Sequence, residues 1–228
     1  MKNLFSKNSL IVSCQALEDE PLYGSEIMAK MAQAAFMGGA KGIRANTKKD
    51  IQAIKKVVDL PIIGIVKKDY EGYDIYITPT IKEVQEVYDA GAEIVAIDAT
   101  NRQRPNGITL AQFVKNIKTQ FPNLLIMADV ATFEEGFNAY KLGVDIISTT
   151  LCGYTAETIN TPIPNFDLVS KLSENIDIPI VCEGGVQTPE QLSKALSSGA
   201  YACVIGSAIT RPRLITKRFS DVITNEIN

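Results

Sequence analysis

The chain has 228 residues, 46% of them hydrophobic, and 23 basic residues against 26 acidic ones leave a net charge of −3. That length and composition suffice for one buried core, and the slightly acidic balance, without a basic block, excludes a face that tracks a phosphate backbone; no nucleic-acid partner is expected. No apolar run approaches the roughly 20 residues that cross a bilayer, and MKNLFSKNSLIVSCQ shows neither a signal-like apolar core nor a cleavage pattern, so a cytoplasmic protein without a membrane partner is expected.

In chain order, the first strand candidate is SLIVSCQ, an apolar run that ends in Gln15. A helix-like stretch then closes on a small-residue turn, FMGGAKGIRA, whose second half is the next run and carries Arg44. LPIIGIVKK follows and delivers Lys67, and the tyrosine-bearing KKDYEGYDIYITPT after it reads as a short hairpin at a rim. DAGAEIVAIDAT repeats the glycine turn and ends near Asp98, with Arg102, Arg104 and Asn106 in the polar loop beyond. LLIMADVAT presents Asp129, and KLGVDIISTT presents Thr149 and Thr150 ahead of a long loop with Tyr154 and Thr155. IPIVCEGG ends in Glu183, Gly184 and Gly185, and SSGAYACVIGSA ends in Gly206 and Ser207, with Arg211 close behind. The last segment, ITKRFSDVIT, is an amphipathic helix that closes the fold or lies at an interface.

Eight strand candidates separated by amphipathic stretches predict α/β architecture, a single (β/α)8 TIM barrel over residues 1–228. Four of the turns carry glycine where a helix would end in a left-handed residue. Side chains alternate along a strand, so with Lys67, Asp129 and Glu183 facing the barrel mouth, Ile65, Met127 and Val181 lie beneath them and Cys182 faces the helices.

Functional groups of such a barrel come from the carboxyl ends of its strands. Here those ends are strongly polar. A single charge such as Asp98 has a plainer role as the first solvated residue of a loop. Unlike charges converging on one rim, Lys67, Glu183, Asp129 and Arg44, are what an acid, a base and substrate clamps need. Thr188 and Pro189 start a helix after Gly184 and Gly185, and together with Gly206, Ser207 and Arg211 they offer amide hydrogens and a cation after strands seven and eight, where barrels of this kind hold a phosphate.

The chain has no histidine, which removes the commonest general base and the commonest metal ligand, so proton chemistry falls to Lys, Asp, Glu, Tyr, Cys or the substrate itself. The four cysteines, Cys14, Cys152, Cys182 and Cys203, show no CxxC spacing and read as reduced thiols.

Nine segments in order, LIVSCQALEDEPL, GGAKGIRA, LPIIGIVKKDY with IYITPT, IVAIDAT with RPNG, ADVATFEEG, STTLCGYT, IPIVCEGG, GAYACVIGSAITRP and ITKRF, resemble the bacterial N-acylmannosamine-6-phosphate 2-epimerases of sialic acid breakdown. The resemblance implies interconversion of N-acetylmannosamine 6-phosphate and N-acetylglucosamine 6-phosphate on a barrel, without a metal or organic cofactor. It implies Lys67 and Glu183 as catalytic residues. Gln15, Arg44 and Asp129 would be substrate-binding or supporting positions, and Arg211 would lie near the phosphate. Thr150 and Tyr154 are further candidates for substrate binding, and Gly184, Gly185, Gly206 and Ser207 for the phosphate. A phosphosugar substrate and a homo-oligomer, a dimer, are the expected partners. Cys152 departs from the family pattern, where another small residue is more usual.

The chemistry agrees with the residues: epimerisation next to a carbonyl needs a proton removed from one face and returned to the other, by Lys67 and Glu183 on the two faces or by a single group acting twice after the substrate rotates. Two readings stay open beside it. A Schiff-base lyase would use Lys67 to form an imine, and a phosphosugar-binding barrel would keep the phosphate cup without the proton chemistry.

Overall fold

The computed structural model describes residues 4–226. The eight runs form β1 (Ser9–Cys14), β2 (Gly42–Asn46), β3 (Ile62–Ile65), β4 (Ile94–Asp98), β5 (Leu125–Asp129), β6 (Ile146–Ser148), β7 (Ile180–Glu183) and β8 (Ala202–Ile205). They pair in parallel and in sequence order, and β8 pairs with β1 to close the barrel. The helices between them are α1 (Ser25–Met37), α2 (Lys48–Lys55), α3 (Ile81–Asp89), α4 (Leu110–Gln120), α5 (Phe133–Lys141), α6 (Phe166–Asn175) and α7 (Pro189–Ser197); α8 (Ser207–Thr210) and α9 (Pro212–Glu226) follow β8. The expected (β/α)8 barrel is the one observed. None of the helices among the described residues is long and apolar enough to cross a membrane.

Alternation along the strands divides the core in two. Ile11, Ile63, Ile65, Ile94, Met127, Val181 and Val204 fill the barrel interior. Ile62, Val95, Ile97, Ile126, Ile147, Cys182 and Cys203 face outward and pack with the helices. Lys67, Asp129 and Glu183 thus stand above Ile65, Met127 and Val181, as the period-two reading requires. All four cysteines are free and buried.

Local chemistry fixes where the helices begin. Thr80, Thr109 and Thr132 each cap a helix while Glu83, Gln112 and Glu135 reach back, three capping boxes after β3, β4 and β5. Thr188 caps α7 with Pro189 in its first turn, as the sequence predicts. Gly64 is needed for close approach: a Cβ there would lie 2.6 Å from Val87 and 2.9 Å from Ile51, so a side chain would push α2 and α3 off the strand.

Candidate active site

At the carboxyl end of the barrel the strands enclose a cavity of about 220 Å³. Gln15, Arg44, Lys67, Thr150, Tyr154, Glu183, Gly184, Gly185, Gly206, Ser207 and Arg211 all line it. Every residue expected from the sequence to contact substrate is therefore on this wall except Asp129. Asp129 is fully buried one layer below and supports the site through Arg44.

The floor is an ionic network. Arg44 rises from within β2, 1% exposed, and its Nη2 reaches Asp129 Oδ2 at 2.5 Å while Nη1 reaches Glu183 Oε2 at 2.7 Å. The Thr150 hydroxyl joins the two carboxylates, 2.7 Å from Asp129 Oδ1 and 3.1 Å from Glu183 Oε2. Thr149 holds the β7 end at both backbone groups: its hydroxyl donates to Glu183 O at 2.9 Å and accepts from Glu183 N at 3.1 Å. Burial opposes the charge of Arg44, but Asp129 and then Glu183 more than offset it, so its pKa is raised and the guanidinium stays charged. With two carboxylates against one guanidinium, the network carries an excess negative charge that the proton on Glu183 can cancel.

Burial pushes the Glu183 pKa up to about 7, Arg44 opposes the shift and Asp129 adds to it. Lys67 moves the other way. Burial lowers its pKa to about 8, helped by the cations Arg44 and Arg211 and opposed by Glu183 and Glu20. The lysine is held from the backbone, where its N–H donates to Asn46 Oδ1 at 2.9 Å. A buried carboxyl and a lysine whose pKa values have moved toward each other thus share one wall of the cavity. No group of three or more carboxylates or thiols among the described residues is arranged to hold a metal.

Two other polar atoms are buried without a partner, Gln15 Oε1 and Arg44 Nε. Gln15 is oriented by donating from Nε2 to Ser13 Oγ at 2.7 Å, which leaves its oxygen as an acceptor for a ligand N–H or O–H. At the other side, Gly184 and Gly185 turn with φ of 103° and 79°. A Cβ on Gly185 would lie 2.9 Å from the backbone of Ile163, so the loop after β6 packs directly on this turn. Gln187 Nε2 donates to Ser207 Oγ at 3.2 Å and ties the β7 and β8 loops together. Arg211 lines the cavity but is paired with Glu20 at 3.0 Å.

Some positions fall outside the cavity wall, and others were missed by sequence reading. Arg102 and Asp98 do not line the cavity; they pair with each other at 2.5 Å. Thr155 is buried against Thr158. Ser13, Glu20, Tyr76 and Gln187 take part in the site or its support without having been singled out. Tyr76 lay in the hairpin already noted for its tyrosines, whereas nothing in local sequence marks Glu20 as the partner of a residue 191 positions away.

A sequence-family model described as "Putative N-acetylmannosamine-6-phosphate epimerase" matches residues 28–225. Relatives described as "Putative N-acetylmannosamine-6-phosphate 2-epimerase" include one from Caldanaerobacter subterraneus subsp. tengcongensis, 56% identical over 93% of this chain and 90% of its own length. Another, from Clostridium perfringens, is 52% identical over 95% of this chain and 97% of its own. The solved structure of the N-acetylmannosamine-6-phosphate 2-epimerase from Clostridium perfringens superposes with a TM-score of 0.92 at 51% identity, covering 96% of this chain and 94% of that one. A thiamine phosphate pyrophosphorylase from Pyrococcus furiosus, 18% identical with a TM-score of 0.61, shares the fold alone.

Proposed function

The chain belongs to the N-acetylmannosamine-6-phosphate epimerase family, and we propose from its cavity that Lys67 and Glu183 carry the reaction. The activity is interconversion of N-acetylmannosamine 6-phosphate and N-acetylglucosamine 6-phosphate, an isomerisation at C2 that belongs to the breakdown of sialic acid. The observation that carries the assignment of roles is the convergence of a lysine and a carboxyl group, with pKa values displaced toward neutrality, on one sugar-sized cavity.

In the open-chain sugar, C2 lies next to the aldehyde carbon. One of the pair removes the C2 proton, the C–H electrons move onto the aldehyde oxygen as an enolate, and the other returns a proton to the opposite face of C2. Atoms and charge balance with no group other than these two, so the chain supplies the chemistry without a metal or organic cofactor. Arg44 lends positive charge to the enolate, and the unpartnered Gln15 Oε1 accepts from the acetamido N–H or a hydroxyl. Asp129 and Thr150 hold Arg44 and Glu183 in place. The phosphate lies toward Gly184, Gly185, Gly206, Ser207 and Arg211, with Tyr154 covering the ligand from the β6 loop. Phosphorylated sugars do not diffuse across membranes, which agrees with a cytoplasmic enzyme.

Adding N-acetylmannosamine 6-phosphate to the purified protein and following the proton spectrum tests this reading. Growth of N-acetylglucosamine 6-phosphate signals supports it; an unchanged spectrum refutes it.

The pH dependence follows from the signs of the shifts. The pair works when it holds one proton between its two members, whichever member holds it. Below about 7 both are protonated, and above about 8 both are deprotonated. The profile of kcat/KM should therefore be a bell with its maximum between those values, read with a substrate range at each pH. A plateau extending from pH 6 to 10 would contradict the pairing.

Gly185→Ala should weaken substrate binding. The added methyl meets Ile163 and the backbone is at positive φ, so the turn must move. The expected result is a KM higher by about tenfold, equivalent to about 1.4 kcal/mol, with a smaller change in kcat, checked by steady-state kinetics and by inhibition with inorganic phosphate.

A further inference from the structure

We propose that Tyr76 is a further substrate-contacting residue and that Arg102 is the positioning residue that holds it over the cavity. The identity of the substrate here rests on the epimerase reading.

The chain leaves β3 through Lys67 and returns as a hairpin. Lys67 and Ile77 form an antiparallel bridge, the Lys68 N–H donates to Tyr76 O at 2.9 Å, and the Thr78 N–H donates to Val66 O at 2.9 Å. This pairing sets Ile77 across the hairpin from the catalytic lysine and Tyr76 across from Lys68, and Tyr76 shares the cavity wall with Lys67. The half-buried ring packs on the apolar interior of the barrel. Among the described residues its hydroxyl makes no hydrogen bond within the protein. The charged groups acting on it are Asp129, Asp98, Arg102 and Arg44. A phenol anchored by its ring, with donor and acceptor both unspent, suits a sugar hydroxyl or the acetamido oxygen.

The hairpin is held by the end of β4 and the loop after it, besides the Tyr70 hydroxyl on Glu83 of α3. Arg102 Nη1 donates to Asp74 O at 3.0 Å, Arg104 Nη1 to Pro79 O at 3.2 Å, and the Asp98 N–H to Ile77 O at 3.1 Å. Arg102 is itself clamped, with Nη2 on Asp98 Oδ2 at 2.5 Å and Nε on Thr100 Oγ1 at 3.0 Å. Asp98 is fully buried, and its other oxygen accepts from the Thr100 N–H at 3.0 Å and hydroxyl at 2.7 Å. Arg102 therefore has one fixed position, and its grip on Asp74, two residues before Tyr76, sets the path of the returning strand. Charges at the end of β4 that could have served the substrate directly serve the hairpin instead.

Steady-state epimerisation of N-acetylmannosamine 6-phosphate by the full chain, Tyr76→Phe, Arg102→Ala and the double variant tests this. Tyr76→Phe should raise KM about tenfold, the scale of one lost hydrogen bond, with kcat within a few-fold and an unchanged melting temperature. Arg102→Ala should raise KM similarly, and the double variant should be no worse than the poorer single variant, because a positioner has nothing left to position. If Arg102→Ala melts below the assay temperature, Arg102→Lys takes its place. A wild-type KM for Tyr76→Phe, or single effects that multiply in the double variant, would overturn the inference. Absence of turnover by the unmodified protein would instead overturn the epimerase reading.

Discussion

Replacing Lys67 with alanine should lower epimerisation by about a thousandfold, within the range that a positioned acid or base contributes, while the phosphosugar still binds. Lys67 lines the cavity from the start of the β3 hairpin, and among the described residues its side chain makes no hydrogen bond or ion pair; its backbone is held by Asn46. On the proposed mechanism, removing its ammonium group takes away the proton carrier on one face of C2 and leaves the β7 and β8 loops intact. Binding measured by calorimetry, with turnover measured by proton spectra, separates the two effects. A variant that retains more than a tenth of wild-type turnover would remove Lys67 from the proton path.

Arg44→Leu should fail twice, in stability and in turnover. Its guanidinium is the cation between Asp129 and Glu183, and both arginine and Asp129 are removed from water. Breaking a buried ion pair from one side costs about 3–5 kcal/mol because the other charge is left uncompensated. For a chain of this size that is a fall in melting temperature on the order of 10 °C. Adding Asp129→Asn to Arg44→Leu should recover part of that loss without restoring turnover, since the neutral amide no longer needs the arginine but the enolate still does. Melting curves of the two variants decide the first point and the proton assay decides the second. An Arg44→Leu protein as stable as wild type would mean that the network on the barrel floor is not held together as described.

Much of the site was legible from the runs themselves because a barrel converts linear pattern into radial position. Once Ile65, Met127 and Val181 are inside, Lys67, Asp129 and Glu183 must stand above them, and alternation says so without coordinates. Arg44 was legible as a charge near a strand end, although it lies two residues inside β2, where only a doubly paired arginine is tolerated. The glycine turns ahead of the strands were legible for the same local reason, a left-handed residue at the end of a helix; Gly91, Gly143 and Gly199 have φ of 85°, 80° and 98°.

What was not legible depends on loop paths. Asp98 sits at a strand end like Asp129, yet a single loop residue, Arg102, turns back and takes its carboxylate out of the cavity. Asp129 has the right parity to face the substrate but is covered by Arg44, and parity alone gives height on the wall no finer than one layer. Glu20 meets Arg211 only because the β1 and β8 loops lie side by side after the barrel closes.

Turnover in deuterium oxide tests most directly whether Lys67 and Glu183 move the C2 proton on opposite faces. The product formed early in the reaction should carry one deuterium at C2 while unreacted substrate keeps its hydrogen, and the Lys67→Ala protein should form no such product. Product that retains the original C2 hydrogen through repeated turnovers would contradict the account.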